Sequence, residues 1–180
     1  MAQWNLDTAH SSVNFSVRHM VISKVRGHFT QFSGTLDFDE ARPQAAKLEV
    51  KVQTASVNTN DAQRDGHLKS ADFFDVEKYP EMTYKSSAVE VVDKNHFRVQ
   101  GQLTLHGVTK PVTLDVEYAG HGRDPWGGDR AGFTATAGIN RKDFGLNWNQ
   151  ALEAGGVLVS DQVEITLEIQ AVAAQAKAAS

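Results

Sequence analysis

Strict alternation of apolar and polar residues is the feature that most constrains how this chain folds. The segment KLEVKVQ puts Leu48, Val50 and Val52 on one side and charged residues on the other. The same pattern recurs in FRVQGQLTL (97–105), VTLDVEY (112–118) and VEITLEIQ (163–170). Because successive side chains of a strand point to opposite faces, each segment predicts a strand with one apolar and one solvated face. Such strands are typical of antiparallel sheets, since parallel sheets are buried on both faces.

About eight such segments follow one another along the chain. They are 4–20, 25–39, 46–58, 81–93, 96–106, 110–122, 130–140 and 160–173. Turn sequences such as DEARP, HGVTKP and GRDPWGGD separate them. Long antiparallel strands favour a closed barrel, because closure removes exposed edges. The pattern therefore predicts an all-β, eight-stranded antiparallel barrel, with a two-sheet sandwich as the alternative.

Two places in the sequence look helical. In NDAQRDGHLKS, Asn60 as N-cap and Gln63 at the third helical position form a capping-box pattern. We expect Ser70 to cap a second, single-turn helix through Phe73 and Phe74. The segment NWNQALEAGG predicts another short turn that ends at its first glycine.

Length and composition bound the possible functions. A chain of 180 residues suffices for one domain, which we predict over 1–173 with a flexible tail over 174–180. A net charge of -4 without a Lys/Arg run argues against nucleic-acid binding. Cysteine is absent, so disulfides and thiolate ligands are excluded. No apolar run approaches the roughly 18 residues of a spanning helix, so we expect no membrane insertion.

The first residues, MAQWNLDTAHSSV, lack the basic and apolar regions of a signal peptide. As written, the sequence therefore predicts a cytoplasmic protein. If a leader has been removed, we expect a periplasmic protein instead.

Familiar catalytic and metal-binding motifs are missing. The seven histidines show no His-x-His or HExxH spacing, and no GxSxG, P-loop or GxGxxG pattern occurs. Two charged pairs remain as candidate acid–base groups: Asp65 with His67, and Arg141 with Asp143, which would share a face at i and i+2 of a strand. For both pairs a structural role is the favoured interpretation. We therefore predict no catalytic residue, no metal and no cofactor.

The interior of an eight-stranded barrel is either filled by side chains or holds one slender ligand. Gly101, Ala135, Ala137 and Ala55 are small residues in strand-like segments, which is consistent with room for a ligand and equally with a tapered, filled core. An interior of Val, Leu, Ile and Phe would select an apolar ligand. Aromatic side chains near the strand ends either grip such a ligand or plug the barrel.

Five motifs, in this order, resemble the YceI-like family of bacterial polyisoprenoid-binding proteins. They are DTAHSSVNFSVRHMVISKVRGHFTQFSGTL, RDGHLKSADFFDVEKYP, GQLTLHGVTKPV, GFTATAGINRKDFGLNW and VSDQVEITLEI, and the resemblance covers residues 4 to about 172. The resemblance implies an extended, lipocalin-like eight-stranded barrel with a long apolar tunnel. It also implies binding of an isoprenoid chain, such as a polyprenyl phosphate or a quinone tail, and a homodimer.

We therefore predict a non-catalytic protein that sequesters or transports a long isoprenoid-type lipid inside the barrel. An enzyme acting on a lipid or small ester, and a ligand-free structural barrel, are the alternatives. The predicted ligand contacts are Phe15, Val17, Phe29, Phe32, Arg64, His67, Leu68, Phe73, Phe74, Leu103, Phe133, Arg141, Phe144 and Trp148. Arg64 and His67 are the expected head-group contacts, and Leu68, Phe73 and Phe74 are expected to close or line one barrel end.

Overall fold

The structure, a computed structural model, describes residues 2–20, 22–150 and 158–174. Its strands are β1 (Ala2–Leu6), β2 (Ser12–His19), β3 (Ser23–Phe29), β4 (Phe32–Phe38), β5 (Lys47–Gln53), β6 (Val57–Asn58), β7 (Glu81–Asp93), β8 (His96–Leu105), β9 (Val108–Arg123), β10 (Asp129–Asn140) and β11 (Val159–Ala173). Its helices are α1 (Ala62–Lys69) and three 3-10 helices at Pro43–Ala45, Thr54–Ser56 and Arg141–Phe144. No helix in these described ranges is long and apolar enough to cross a membrane.

One antiparallel sheet closes on itself through β11. Around the ring the order is β1, β4, β5, β7, β8, β9, β10 and β11, and β11 pairs again with β1. The strands β2, β3 and β6 prolong the ring at one end, because β11 also pairs with β2. The predicted strands 4–20 and 25–39 are thus each split in two, as β1 with β2 and β3 with β4. The predicted eight-stranded barrel is confirmed, and the sandwich alternative is wrong.

Burial follows the alternation of the sequence. Along β8, Phe97, Val99, Gly101, Leu103 and Leu105 are buried, while the residues between them are exposed or only partly buried. The partner strand β9 shows the same alternation, and the two strands pair in continuous register. The inward faces therefore form the core, as the period of two predicts.

An aromatic cluster closes one end of the barrel. This aromatic plug consists of Trp4, Phe38, Phe97, Tyr118 and Phe133. The ring of Phe38 lies 5.2 Å from that of Tyr118 and 5.3 Å from that of Phe133, both edge-on. The indole nitrogen of Trp4 donates a hydrogen bond to the carbonyl of Phe38. Because these rings come from five different strands, the plug also ties the sheet together across the lumen.

The only α-helix in the described residues, α1, lies between β6 and β7. Its N-cap is Asp61, whose carboxylate accepts a hydrogen bond from the Arg64 amide at 3.0 Å. The prediction of Asn60 as N-cap is therefore wrong by one residue; Asn60 adopts the left-handed conformation instead. Ser70 is the C-cap of α1, so the predicted second helix is also wrong, and the residues after it form turns. Residues 151–156 of the predicted turn in NWNQALEAGG and residues 175–180 of the predicted tail lie outside the described residues.

The small residue Gly101 accommodates a neighbouring side chain. A Cβ at this position would lie 2.5 Å from the ring and hydroxyl oxygen of Tyr84. The Tyr84 hydroxyl in turn donates a hydrogen bond to the Val112 carbonyl at 2.9 Å. The space beside Gly101 is therefore filled by a side chain and is not room for a ligand. Ala55, in a 3-10 helix, is exposed and contributes no space to the lumen.

A charged network beside the aromatic plug fastens the start of the chain. Arg130 on β10 donates to Asp7 at 2.6 Å, to Gln170 at 3.0 Å and to Asp124 at 2.9 Å. His10 also contacts the Asp7 carboxylate. The hydrogen bonds from Arg130 and His10 lower the pKa of Asp7 to about 2. Arg130 thus joins the end of β1 to β10, to β11 and to the β9–β10 turn.

Adding a methyl group at Gly101 should destabilise the fold. Because the new Cβ meets Tyr84 and the Lys85 carbonyl oxygen, we expect Gly101→Ala to lower the free energy of unfolding by about 1–3 kcal/mol. Gly66→Ala is the matched control: no neighbouring atom approaches that site in α1, and alanine favours a helix by about 0.5–1 kcal/mol. Urea denaturation of both variants tests this, and equal effects would contradict it.

The carboxylate of Asp7 should make stability depend on acid pH. Because its folded-state pKa lies below the ordinary 3.8, its contribution is complete above about pH 4 and is lost as pH falls towards 2. We expect Asp7→Asn to lose about 1–2 kcal/mol at pH 7 and to show a shallower decline over that interval. Asp115→Asn, in an exposed pair with Arg98, should change little. Unfolding curves from pH 7 to 2 measure this.

Candidate ligand-binding cavity

An apolar cavity occupies the barrel between the aromatic plug and α1. The centre of a water molecule can occupy about 270 Å³ of it. Its walls come from β2, β3, β5, β7, β8, β9, β10 and β11 together with α1. Typical wall residues are Val50, Leu103, Leu114, Ile165 and Leu167. None of the plug residues lines the cavity, so it ends below the plug.

The mouth of the cavity lies at the α1 end of the barrel. His19, His67 and Trp148 line the cavity there, and all three are only half-buried. They belong to the end of β2, to α1 and to the segment after the last 3-10 helix. Within the described residues, solvent therefore reaches the lumen from this end, while the opposite end is packed with aromatic rings.

The structure gathers most of the predicted ligand contacts around this cavity. Those that line it are Phe15, Val17, Phe29, Arg64, His67, Leu68, Phe73, Phe74, Leu103, Arg141 and Trp148. Phe133 belongs instead to the aromatic plug, Phe144 is packed in the core at 1% exposure, and Phe32 packs at the edge of a neighbouring core cluster. Ala135 and Ala137 also lie in or against the core rather than on the cavity wall. Contact of any of these residues with a ligand stays a prediction.

Three rings form a cluster at the mouth. The imidazole of His67 lies edge-on to Trp148 with centroids 4.6 Å apart, and edge-on to Phe73 at 5.1 Å. The His67 ring is oriented by a 2.9 Å hydrogen bond to the Asp72 carboxylate. Its partner is therefore Asp72 and not Asp65. His67 acts as a hydrogen-bonded structural side chain that also forms part of the cavity wall.

The first residues of α1 are attached to the end of β6 through Thr59. Asp65 accepts a hydrogen bond from the Thr59 amide at 2.9 Å, and Arg64 donates to the Thr59 hydroxyl at 2.8 Å and to its carbonyl at 2.6 Å. Thr59 is 4% exposed. These bonds hold the Arg64 guanidinium at the cavity wall, and they occupy the Asp65 carboxylate structurally.

Arg141 is buried and acts as a structural connector. Its guanidinium donates to the carbonyls of Leu146 (2.6 Å), Trp148 (2.9 Å) and Ser160 (2.9 Å), while Val159 accepts at 3.3 Å. Burial lowers the pKa of Arg141, and the Asp161 carboxylate opposes that shift. The guanidinium therefore holds the mouth segment around Trp148 against the start of β11.

The second candidate acid–base pair, Arg141 with Asp143, is not formed either. Arg141 and Asp143 lie in a 3-10 helix rather than a strand, so their side chains do not share a face. Asp143 is exposed, and the carboxylate nearest to Arg141 is that of Asp161, 3.9 Å away. Within 2–20, 22–150 and 158–174, no three His, Asp or Glu side chains gather closely enough to hold a metal ion.

Several cavity residues were missed from the sequence. Met82 and Tyr84 on β7 point inward at successive alternate positions, which the strand period alone would have indicated. Burial raises the pKa of Tyr84 to about 12, so its hydroxyl stays protonated as the donor to Val112. Asn14 and His19 are further polar wall residues: His19 continues the alternation of Val13, Phe15 and Val17 along β2, whereas Asn14 is out of phase with it.

Removing the Arg141 guanidinium should loosen the mouth. Arg141→Met leaves buried carbonyls without their donor, and we expect the free energy of unfolding to fall by about 3 kcal/mol or more. Lys142→Met is the matched control, because Lys142 is half exposed and its ion pair with Asp161 lies at the surface. Denaturation compares the two, and Trp148 fluorescence should shift in Arg141→Met alone. Equal stability of the two variants would contradict the connector role.

Comparisons with known proteins agree with this architecture. The model of the YceI-like domain family matches residues 4–171. A UPF0312 protein of Pseudomonas putida strain W619 is 46% identical over 147 residues, which is 81% of this chain and 77% of that protein.

Solved structures share the fold over nearly the whole chain. The YceI protein of Campylobacter jejuni has a TM-score of 0.76 at 35% identity, covering 94% of this chain and 96% of that one. A polyisoprenoid binding domain from Saccharophagus degradans has a TM-score of 0.68 at 17% identity, covering 97% of this chain and 100% of that one, which shows the fold alone. The chain belongs to the YceI-like family, and this membership together with the apolar cavity supports a role as a binding protein.

Proposed function

We propose that the protein binds the isoprenoid chain of a lipid inside its barrel, to sequester or transport it, without catalysis. The observation that carries the proposal is the cavity itself, which is apolar along its walls, closed by the aromatic plug and open at one end. A blind apolar tunnel suits a long hydrocarbon chain that enters tail first. The polyisoprenoid-binding name of a structural neighbour gives this ligand class additional support.

Hydrocarbon burial is sufficient to hold such a chain. Each buried CH₂ contributes about 0.8 kcal/mol, so twenty carbons gain on the order of 10 kcal/mol before the costs of association are subtracted. Pairs of rings along the wall, Phe15 with Phe29 and Phe29 with Phe74, offer continuous contact. Affinity should therefore depend on chain length more than on the head group.

The polar wall residues nearest the mouth are the proposed neighbours of a head group. Arg64 and His67 keep the assignment made from the sequence, because both line the cavity at the mouth and both are partly exposed. His19 lies at the same end. Arg141 is a weaker choice, since its donors already serve four backbone carbonyls. A phosphate or quinone group would thus stay near solvent while the tail is buried.

The alternatives lack a supporting observation. Neither candidate acid–base pair of the enzyme alternative is formed, and a ligand-free structural barrel would be expected to have a lumen without a connected cavity. The homodimer and the compartment stay predictions from the sequence.

The test is to recover the ligand and then to fill the cavity. We expect organic extraction of purified protein, followed by mass spectrometry, to release a prenyl lipid. Ile165 lines the cavity beside Phe15, its partner on the neighbouring strand. Ile165→Trp should reduce binding of a prenyl chain at least tenfold, because the larger side chain occupies the lumen. Glu168→Trp, an exposed residue of the same strand, is the matched control and should bind normally.

Retention of the fold in both variants is checked by circular dichroism. Protein that yields no lipid and binds no prenyl chain would overturn the proposal. Equal binding by the two tryptophan variants would place the ligand outside the lumen.

A further inference from the structure

The hairpin formed by β2 and β3 carries two exposed apolar side chains at the cavity mouth. Met20 is 52% and Ile22 is 87% exposed. The Met20 amide donates to the Leu158 carbonyl at 2.8 Å, and Leu158 lines the cavity together with His19. Met20 is therefore fixed beside the opening through which a ligand would pass.

The outer face of the same hairpin is basic. Arg18 lies opposite Lys24, Ser16 lies opposite Arg26, and the three cations are exposed on one face. Residues 8–36 contain no aspartate or glutamate, although the whole chain has a net charge of -4. Positive charge is thus concentrated on this hairpin in an otherwise acidic protein.

These charges are poorly compensated within the molecule. Like charges directly opposite one another in a sheet are unfavourable, as are Arg18 and Lys24 here. Lys24 approaches Glu164 at 3.5 Å, but in the described part of the chain Arg18 and Arg26 form no ion pair with a carboxylate. An external anionic surface would supply the missing counter-charge.

Charge and exposure together favour one kind of partner. We propose that the β2–β3 hairpin docks the cavity mouth onto an anionic lipid bilayer. Met20 and Ile22 would enter the apolar boundary of the membrane while Arg18, Lys24 and Arg26 contact lipid phosphates. A second copy of this hairpin is a poor partner, because the two basic faces would repel each other.

The opposite end of the barrel supplies an internal comparison. Trp126 in the β9–β10 turn is 86% exposed, close to the value for Ile22. The charges around it are of both signs and are paired, Arg130 with Asp124 and Arg123 with Asp129. This end therefore presents apolar surface without uncompensated positive charge.

Docking would give the mouth a direct route to a membrane lipid. An isoprenoid tail could pass from the bilayer into the lumen without being exposed to water. Exposure of its apolar surface to water would be unfavourable. This purpose rests on the proposed function. Binding to the bilayer does not, and it is measurable with vesicles that contain no isoprenoid.

The test is co-sedimentation with vesicles of phosphatidylcholine alone and of phosphatidylcholine with phosphatidylserine. We expect binding to the anionic vesicles only, weakened by salt. Arg18→Gln with Arg26→Gln should weaken binding about fivefold for each charge removed. Ile22→Ser should weaken it severalfold, whereas the control Trp126→Ser should bind like the unmodified protein.

The proposal would be overturned if the protein bound both vesicle types equally or bound neither. It would also be overturned if Ile22→Ser and Trp126→Ser weakened vesicle binding equally. A dimer in analytical ultracentrifugation that Ile22→Ser dissociates, without vesicle binding, would assign the hairpin to contact between copies instead. The filled-lumen variant Ile165→Trp separates the two proposals, because it should lose prenyl binding and keep vesicle binding. Prenyl binding that fails while vesicle binding persists would refute only the proposed function.

Discussion

Closure of the sheet through β11 is the constraint on which the rest of the structure depends. One edge of β11 pairs with β10 over its length, and the other edge pairs with β2 and then with β1. Because the sheet is continuous, every inward side chain faces a common interior, and no open edge remains at the β1–β11 junction. Pairing along both edges of this one long strand thus closes the sheet around the lumen.

Within that lumen, the two ends are built differently. At one end aromatic rings from five strands pack against each other, and the Arg130 network fixes the chain around them. At the other end β2, β3 and β6 extend the sheet past the ring, and α1 lies between β6 and β7 in the chain. Buried Arg141 positions the segment that carries Trp148. This difference makes the cavity one-ended. It also places the basic hairpin beside the opening.

Much of the architecture could be predicted from the sequence, because alternation in long strands is a local signal. The faces of β5, β8, β9 and β11 follow directly from it. Errors occurred where local signals compete: Asn60 and Asp61 are both good caps, and in the structure α1 starts after Asp61, with Asp65 and Arg64 bonded to Thr59. Arg141 and Asp143 were considered as a strand pair, although the predicted strand ends at residue 140; the 3-10 helix that follows Asn140 separates their side chains.

The sequence by itself determined the strands, their apolar faces, the family and the apolar character of the interior, since these depend on residue type and spacing along the chain. Only the tertiary structure decided which inward residues fill the core and which line the cavity. Gly101 makes room for Tyr84, and Phe133 belongs to the plug rather than to the cavity wall. Such assignments depend on contacts between strands, which the pattern along one strand does not specify. The pairing register and the bulges that shift it are likewise properties of paired strands.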